Sequence, residues 1–248
     1  MVTCLLPEAQ RRRSYYWDPD ADASGNATSG AGLGGTGVWN TSNSVWWNGS
    51  TDVAWPNLLT DTATFDGTTG TVTLDVGINA NSLVFRRSGY LLTGGDLTLA
   101  GVAPSIRVSM LETATINSLL KGSSGFTKTG GGMLRIGNAL NSYTGTTTIN
   151  NGAIVIADGG ALGNNSLANP DAIVVTGSGT QGTAGGVLVL EGGYNSGVTL
   201  NRTLSLQGLG PTPAATPVLR SSACTQTLSP AASARVPPRR RFIPRVGR

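Results

Sequence analysis

Short apolar runs separated by turn-forming residues recur along much of the chain, from residue 71 to residue 206. Each run is rich in Val, Ile, Leu or Thr and is bounded by Gly, Asn or Asp, which is typical of β-strands joined by tight turns. No segment has the three-and-four spacing of an amphipathic helix, so βαβ units are not expected. The predicted strands are 71–75, 82–85, 96–99, 106–108, 133–136, 146–150, 153–156, 172–176, 186–190, 198–200 and 204–206.

One stretch of sequence occurs twice, because the segment that begins at Ser88 aligns with the segment that begins at Ser124 when one residue is inserted. Repetition of strands and Gly-rich turns at a spacing of tens of residues indicates a solenoid. A β-sandwich or barrel is the main competing fold, but the Asn-Gly hairpin signal occurs only at Asn48 and Asn151. The predicted fold is all-β, a right-handed parallel β-helix with disordered N- and C-terminal tails.

Composition divides the chain into four parts. Residues 1–13 are predicted to be a disordered leader, and residues 211–248, which are rich in Pro and Arg, a disordered tail. Residues 14–70 contain all five Trp and are predicted to cap or start the solenoid, with residues 71–210 forming its repeats. The Trp side chains could bind sugars, but burial at the start of the core is the favoured prediction. They are Trp17, Trp39, Trp46, Trp47 and Trp55.

The charge pattern argues against a nucleic-acid-binding domain. Residues 14–210 hold seven basic and twelve acidic residues, whereas the two ends hold ten Arg and a single Glu. The basic isoelectric point is therefore a property of the ends, and no specific nucleic-acid partner is predicted. The chain has no His, and Cys4 and Cys224 both lie outside the predicted β region. No metal site, cofactor or catalytic residue is predicted from these types.

Several motifs imitate known sites without their context. The Gly patterns 30–35 and 177–182 match a dinucleotide fingerprint, but no helix follows either of them. The acidic stretch that begins at Asp18 resembles the start of a calcium loop, yet Ala23 and Ser29 occupy positions where that loop needs Gly and Glu. An enzymatic β-helix would need clustered carboxylates, whereas the acidic residues here are scattered through the sequence. Three of them fall in turns or at strand ends: Asp158, Asp171 and Glu191.

The segment 125–156 closely resembles the autotransporter-associated β-strand repeat, which occurs in the passenger regions of bacterial autotransporters. The resemblance extends more weakly over residues 30–210, and it implies a parallel β-helix in which the signature residues have structural roles. These residues are Gly125, Phe126, Lys128, Gly130, Gly132, Leu134, Tyr143, Gly145, Thr147, Ile149 and Gly152.

The resemblance implies a non-catalytic stalk or display module of an exported, adhesive bacterial protein. Its expected partners are glycans or proteins of a host surface or matrix, and its expected location is the cell surface. The parent protein is expected to be anchored in the outer membrane. The alternative is a carbohydrate-binding or polysaccharide-degrading β-helix protein. The sequence before Arg11 lacks the apolar core of a signal peptide, and no apolar run approaches the about 18 residues of a membrane span.

Overall fold

A computed structural model describes residues 12–166, 170–177, 185–191 and 198–207, together with the backbone of 226–228. Within these ranges the protein is all-β, without an α-helix, and it has one short 3-10 helix, Gly159–Leu162. The strands are β1 Ser14–Trp17, β2 Gly37–Trp39, β3 Trp46–Trp47, β4 Asp52–Val53, β5 Thr62–Phe65, β6 Thr71–Leu74, β7 Ile78–Ala80, β8 Ser82–Phe85, β9 Tyr90–Gly94, β10 Asp96–Leu99, β11 Ser105–Val108, β12 Thr113–Ile116, β13 Leu119–Lys121, β14 Phe126–Thr129, β15 Met133–Ile136, β16 Thr147–Ile149, β17 Gly152–Ile156, β18 Ala172–Thr176, β19 Gly186–Leu190, β20 Thr203–Gln207 and β21 Gln226–Leu228.

The strands stack into three sheets that run along a solenoid. Sheet 1 has the order β21-β20-β18-β16-β14-β11-β8-β5-β1-β3-β4, sheet 2 the order β19-β17-β15-β12-β9-β6-β2, and sheet 3 the order β13-β10-β7. From β1 to β20 every neighbouring pair in sheet 1 is parallel. Successive chain elements visit the sheets in turn, so each coil of the chain lies on the previous one. The predicted parallel β-solenoid is confirmed.

Side chains of one register position form columns inside the solenoid. In sheet 1, Ala63 pairs with Leu83, and Leu83 pairs with Ile106, all of which are fully buried. The rings of Phe65 and Phe85 stack in the neighbouring column, with centroids 4.9 Å apart and planes inclined by 12°. Alternate residues point inward because successive side chains of a strand lie on opposite faces. A continuous apolar core therefore runs along the stack.

An aromatic cluster fills the N-terminal end of this core. β1 pairs in parallel with β5 on one side and antiparallel with β3 on the other, so the antiparallel pair β3 and β4 covers the first coil. The ring centroids of Trp39 and Trp46 are 4.7 Å apart, and those of Trp46 and Trp55 are 4.8 Å apart. All five Trp side chains are buried. The indole rings therefore lie in the core and do not face solvent as a sugar platform.

Two outcomes differ from the strand predictions. Residues 198–200 do not form a strand, although Leu204 and its neighbours in β20 do. The segment is held by side-chain contacts and not by strand pairing. Asn165 Nδ2 donates to the carbonyl of Thr199, and Asn165 Oδ1 accepts from the amide of Asn201. Strands β7, β9, β12, β13 and β14 were not predicted, and each is completed by the coil before or after it.

The predicted tails lie mostly outside the described residues. Of the leader, only Arg12 and Arg13 are described: Arg12 donates to the carbonyl of Val102, and the carbonyl of Arg13 accepts from the amide of Thr62. In the region 211–248 only β21 is described, and its backbone pairs antiparallel with β20.

Candidate functional site

The glycines of the repeat signature lie where the chain turns between strands. Four of them have positive φ angles: Gly125 (+64°), Gly130 (+74°), Gly145 (+90°) and Gly152 (+69°). A Cβ atom on Gly125 would lie 2.0 Å from the carbonyl oxygen of Thr146, in the next coil. Gly132 lacks a positive φ, but a Cβ there would lie 2.1 Å from the carbonyl oxygen of Ser109. The first four positions combine a left-handed backbone with close approach of a neighbouring coil, and Gly132 has the close approach alone; both features favour Gly.

Lys128 points into the core. In sheet 1 it pairs with Ile106 on one side and Ile149 on the other, and its side chain is fully buried. Its Nζ donates to four backbone carbonyls, those of Thr129 (2.9 Å), Gly130 (2.8 Å), Gly132 (3.0 Å) and Asn151 (3.1 Å). Burial lowers the pKa of Lys128 to about 8, whereas the carbonyl dipoles favour its charged form. The ammonium group thus connects the turn after β14 to the turn after β16.

The remaining signature side chains pack around the same coil. The rings of Phe126 and Tyr143 meet edge to face with centroids 5.4 Å apart, and the Tyr143 hydroxyl lies 2.8 Å from Thr147 Oγ1. Burial raises the pKa of Tyr143 to about 12. Leu134 and Ile149 are fully buried. The structure therefore brings the signature residues together in and beside the core, where all the side chains other than those of the glycines are buried.

The calcium-like stretch contributes one buried carboxylate, Asp18, which lies near the carboxylates of Asp20 and Asp52. Asp18 is fully buried, and its Oδ1, like Oδ1 of Asp52, has no hydrogen-bond partner. Burial is the main cause that raises the pKa of Asp18 to about 8, and the nearby carboxylates of Asp20 and Asp52 raise it further. A hydrogen bond of 2.5 Å from Asn26 Nδ2 acts in the opposite direction. Among the described residues, no group of three or more His, Cys, Asp or Glu side chains is arranged to hold a metal ion.

The first nucleotide-like glycine pattern, at 30–35, leads into strand β2 and not into a helix. A Cβ atom on Gly34 would lie 2.1 Å from the carbonyl oxygen of Thr68, so the loop that carries the first pattern is packed against the next coil. Gly34 and Thr68 are joined by a parallel bridge. The second pattern begins at Gly177, and its other residues lie outside the described residues.

The three carboxylates considered for catalysis are held in separate structural contacts. Asp158 accepts from the amide of Gly160 at 2.7 Å and caps the 3-10 helix. Asp171 accepts from the amide of Gly145 at 2.6 Å, and Glu191 forms a 2.5 Å ion pair with Arg135. The described residues therefore bring no two of these three carboxylates together as a catalytic pair.

A polar groove, which the sequence did not predict, lies on the outer face of sheet 1 near its N-terminal end. Its volume is about 520 Å³. One outward column of the sheet forms its floor, because Tyr16 pairs with Thr64, Thr64 with Val84, and Val84 with Arg107. Four strands are joined in this way, so the floor spans about 14 Å at the usual strand spacing. The groove is lined by Ser14, Tyr16, Ser29, Thr62, Thr64, Asp66, Val84, Arg86, Arg87, Arg107 and Ser109.

A buried carboxylate positions two of the three arginines in the groove. Asp66 is only 3% exposed, and its two oxygens contact Arg86 Nη1 at 3.3 Å and Arg87 Nε at 3.2 Å. Arg86 also donates to the carbonyl of Thr28 at 2.7 Å and lies 5.6 Å from the centre of the Tyr16 ring. Both arginine side chains keep part of their surface in solvent, 38% for Arg86 and 53% for Arg87. Their guanidinium groups are thus fixed but accessible.

Arg107 completes the groove. It is exposed, and no hydrogen bond or ion pair joins its side chain to another described residue. With three arginines and one aspartate, the groove carries a formal charge of +2, although the β region as a whole is acidic. The other basic residues between 14 and 210 have internal partners: Lys121 with Asp96, Arg135 with Glu191, and Lys128 and Arg202 with backbone carbonyls. Lys121 and Arg135 are also partly exposed, but each is balanced by one carboxylate, whereas the groove has three arginines for one carboxylate. Among the described residues from 14 to 207, the unbalanced accessible positive charge therefore lies in the groove.

Comparison with known proteins identifies a repeat within the chain and a similar protein. Residues 126–156 match the family model described as passenger-associated-transport-repeat. The chain is also similar to the adhesin BmaC autotransporter of Brucella suis biovar 1 (strain 1330), with 38% identity over 202 residues. This alignment covers 78% of the chain, and the chain spans 6% of the length of that relative. No solved structure matches the chain.

No helix among the described residues has the length and apolar character needed to cross a membrane. The family match covers the coil that contains Lys128 and most of the predicted signature residues. The chain therefore belongs to the proteins that carry the passenger-associated transport repeat of autotransporters, as its sequence pattern predicted.

Proposed function

We propose that this chain is adhesive passenger sequence of an autotransporter: a non-catalytic β-solenoid that presents contact surfaces at the cell surface. The observation that carries the proposal is the similarity to an autotransporter adhesin over 78% of the chain. The fold supports it physically. A stack of coils satisfies its backbone hydrogen bonds from coil to coil and leaves a long outer face free for contacts.

The chemistry of the described residues also supports a role in binding rather than catalysis. The signature residues serve the packing of one coil, and the buried Lys128 has four carbonyl partners inside the protein. Asp158, Asp171 and Glu191 serve a helix cap, a turn and an ion pair. A β-helix hydrolase or lyase would need such groups converging on a groove. We therefore assign the repeat signature a structural role.

The expected partners are glycans or proteins of a host surface or matrix, and the expected location is the bacterial cell surface. To test this, the full chain is coupled to inert beads, and bead attachment to cultured epithelial cells and to deposited matrix is counted. Beads that carry serum albumin, and beads with the heat-unfolded chain, serve as controls. Attachment that is specific to the folded chain and is competed by soluble chain is the expected result. Equal attachment of all beads would contradict an adhesive role.

A further inference from the structure

We infer that the groove on sheet 1 is a binding site for an anionic glycan, a chain of sugars that carries carboxylate or sulfate groups. This assignment rests on the proposed adhesive function and names the site and the ligand chemistry for it. The ligand would lie along the outward column from Tyr16 to Arg107.

Charge is the first argument for an anionic ligand. Arg86, Arg87 and Arg107 face one groove of about 520 Å³, with Asp66 as the only carboxylate in its lining. Asp66 is almost fully buried and paired with Arg86 and Arg87. It therefore orients these two arginines and does not neutralise the charge of Arg107. Guanidinium groups bind carboxylate and sulfate oxygens through paired hydrogen bonds. The Arg107 side chain, which has no partner among the described residues, is the group most available for such a contact.

Preorganisation is the second argument. The Arg86 side chain is held by Asp66, by the carbonyl of Thr28 and by the Tyr16 ring. Because the floor consists of paired strands in a continuous sheet, the spacing between Arg107 and the other groove residues is fixed by register. A site whose groups are already ordered loses less conformational entropy when a ligand binds. Arg86 and Arg87 have this advantage, whereas for Arg107 only the backbone position is fixed.

The remaining lining favours a glycan over an acidic peptide. Five hydroxyl-bearing Ser and Thr residues border the groove, and Val84 is its one aliphatic lining residue. Many modes of peptide recognition use apolar or aromatic grooves for side chains, whereas sugar hydroxyls are matched by hydroxyl, amide and guanidinium groups. The shape of the groove also fits a glycan, since an open groove that extends about 14 Å across four strands accommodates several consecutive sugar units. The Ser and Thr residues are Ser14, Ser29, Thr62, Thr64 and Ser109.

The test must separate this groove from the Arg-rich ends of the chain, which attract any polyanion. Hydrogen exchange of the full chain is therefore followed segment by segment, with and without a short sulfated uronate oligosaccharide. A non-sulfated uronate oligosaccharide, a neutral glucan and an oligoglutamate peptide are compared at equal concentration. Protection of β8, β11 and the turns after them, by one or both uronate ligands and not by the glucan, is the expected result.

Arg107→Ala is the diagnostic variant, because its side chain has no internal partner whose loss would disturb the fold. We expect it to weaken the groove-localised protection about tenfold in ligand concentration, the effect of one charged hydrogen bond. Arg135→Ala is the matched control, since it removes the same charge from sheet 2. It is expected to leave the groove response unchanged. An equal effect of the two variants, or protection confined to other segments, would overturn the assignment.

The other outcomes are equally decisive. Stronger groove protection by oligoglutamate than by either uronate would overturn the glycan class in favour of an acidic peptide, and equal protection by the neutral glucan would overturn the role of charge. Beads that carry Arg107→Ala distinguish this inference from the proposed function. If they attach to cells as well as wild-type beads do, adhesion stands without the groove. If no folded bead attaches, the adhesive proposal fails even where the groove binds its oligosaccharide.

Discussion

Two cations lie inside this all-β core, and backbone carbonyls surround both of them. Lys128 has four carbonyl partners, and Arg202, which is 2% exposed, donates to the carbonyls of Gly145 at 2.9 Å, Asp171 at 3.2 Å and Leu162. Tight turns in a coil leave carbonyl oxygens without strand partners, and burial makes such oxygens costly. Each cation satisfies several of these oxygens at once and connects segments of different coils.

Replacing Lys128 tests this role. Lys128→Met keeps most of the side-chain volume but removes the donors, so several buried carbonyls lose a partner, and we expect a loss of about 2–4 kcal/mol in the free energy of unfolding. Lys121→Met is the control, because Lys121 forms a half-exposed ion pair with Asp96, and we expect a loss below about 1 kcal/mol. Urea unfolding followed by circular dichroism measures both. Similar losses would show that the carbonyl contacts have little effect on stability.

Asp18 gives a second prediction, concerning pH. Its folded-state pKa of about 8 exceeds the unfolded value, so the folded protein holds a proton that the unfolded chain releases above about pH 4. The stability that this proton provides is present at low pH and is lost as the pH rises towards about 8. In Asp18→Asn, which mimics the protonated acid, we expect a smaller decrease in melting temperature between about pH 5 and pH 8. Asp75→Asn, at an exposed aspartate, should retain the wild-type pH dependence; identical profiles for all three proteins would refute the account.

At the scale of the element, the turns determine which strands can stack. Gly125 directly precedes β14 and has a left-handed backbone conformation. Its Cα lies close to the backbone of the following coil. Gly49 also has a positive φ, +102°, but a Cβ atom there would have open space around it. Both positions impose backbone strain on a residue with a Cβ atom, but only Gly125 adds a collision between coils. Comparing them therefore distinguishes the two effects.

The prediction compares Ala at the two positions. Gly49→Ala should cost about 1–2 kcal/mol, the usual cost of a left-handed conformation for a residue with a Cβ. Gly125→Ala adds a contact of 2.0 Å with a backbone oxygen, which forces the coils apart, so we expect a clearly larger loss. Melting temperatures of the two variants check this. If Gly49→Ala were as damaging as Gly125→Ala, coil packing would not explain the signature glycine.

The strands that sequence patterns predicted are those with their own apolar content, such as β6 and β17. The unpredicted β7 and β13 have only three residues each, and both lie in sheet 3, where β10 separates and pairs with them. Such strands owe their conformation to the coil beside them, and single-sequence propensity does not contain that information. The fold class and the repeat were therefore predictable, whereas the full set of strands was not.

The groove was unpredictable for a related reason. Tyr16, Thr64, Val84 and Arg107 are far apart in sequence and become neighbours only through the register of four strands. A shift of one residue in any of these pairings would turn its side chain to the other face. Arg86 and Arg87 could be recognised in the sequence as a basic pair, but nothing there indicated that Asp66 would hold them beside Arg107.

At the scale of the whole molecule, the solenoid is a stack in which each coil packs mainly on its neighbours. Stability in such a structure is approximately a sum over coils and their interfaces, so a local defect has a local effect. The aromatic cluster at the N-terminal end and the aliphatic coils near Ile173 should therefore respond independently to mutation.

Hydrogen exchange of two core variants tests this independence. Trp46→Ala and Ile173→Ala both remove a fully buried side chain, at an expected cost of about 3–5 and 2–5 kcal/mol. We expect Trp46→Ala to accelerate exchange in β1, β3 and β5, and Ile173→Ala to accelerate it in β16, β18 and β20. The unaffected end of each variant is the internal control. Uniform acceleration along the chain in either variant would instead indicate one cooperative unit.

The placement of the tryptophans also has a spectroscopic consequence. All five indole rings lie between residues 17 and 55, in the first coils and the strands that cover them. Tryptophan fluorescence, excited selectively, therefore reports on the N-terminal end alone, while the circular dichroism signal averages every coil. Fluorescence and dichroism transitions that differ in midpoint would be expected of this protein even without an impurity or a second species. A melting curve from tryptophan fluorescence alone would describe one end of the molecule.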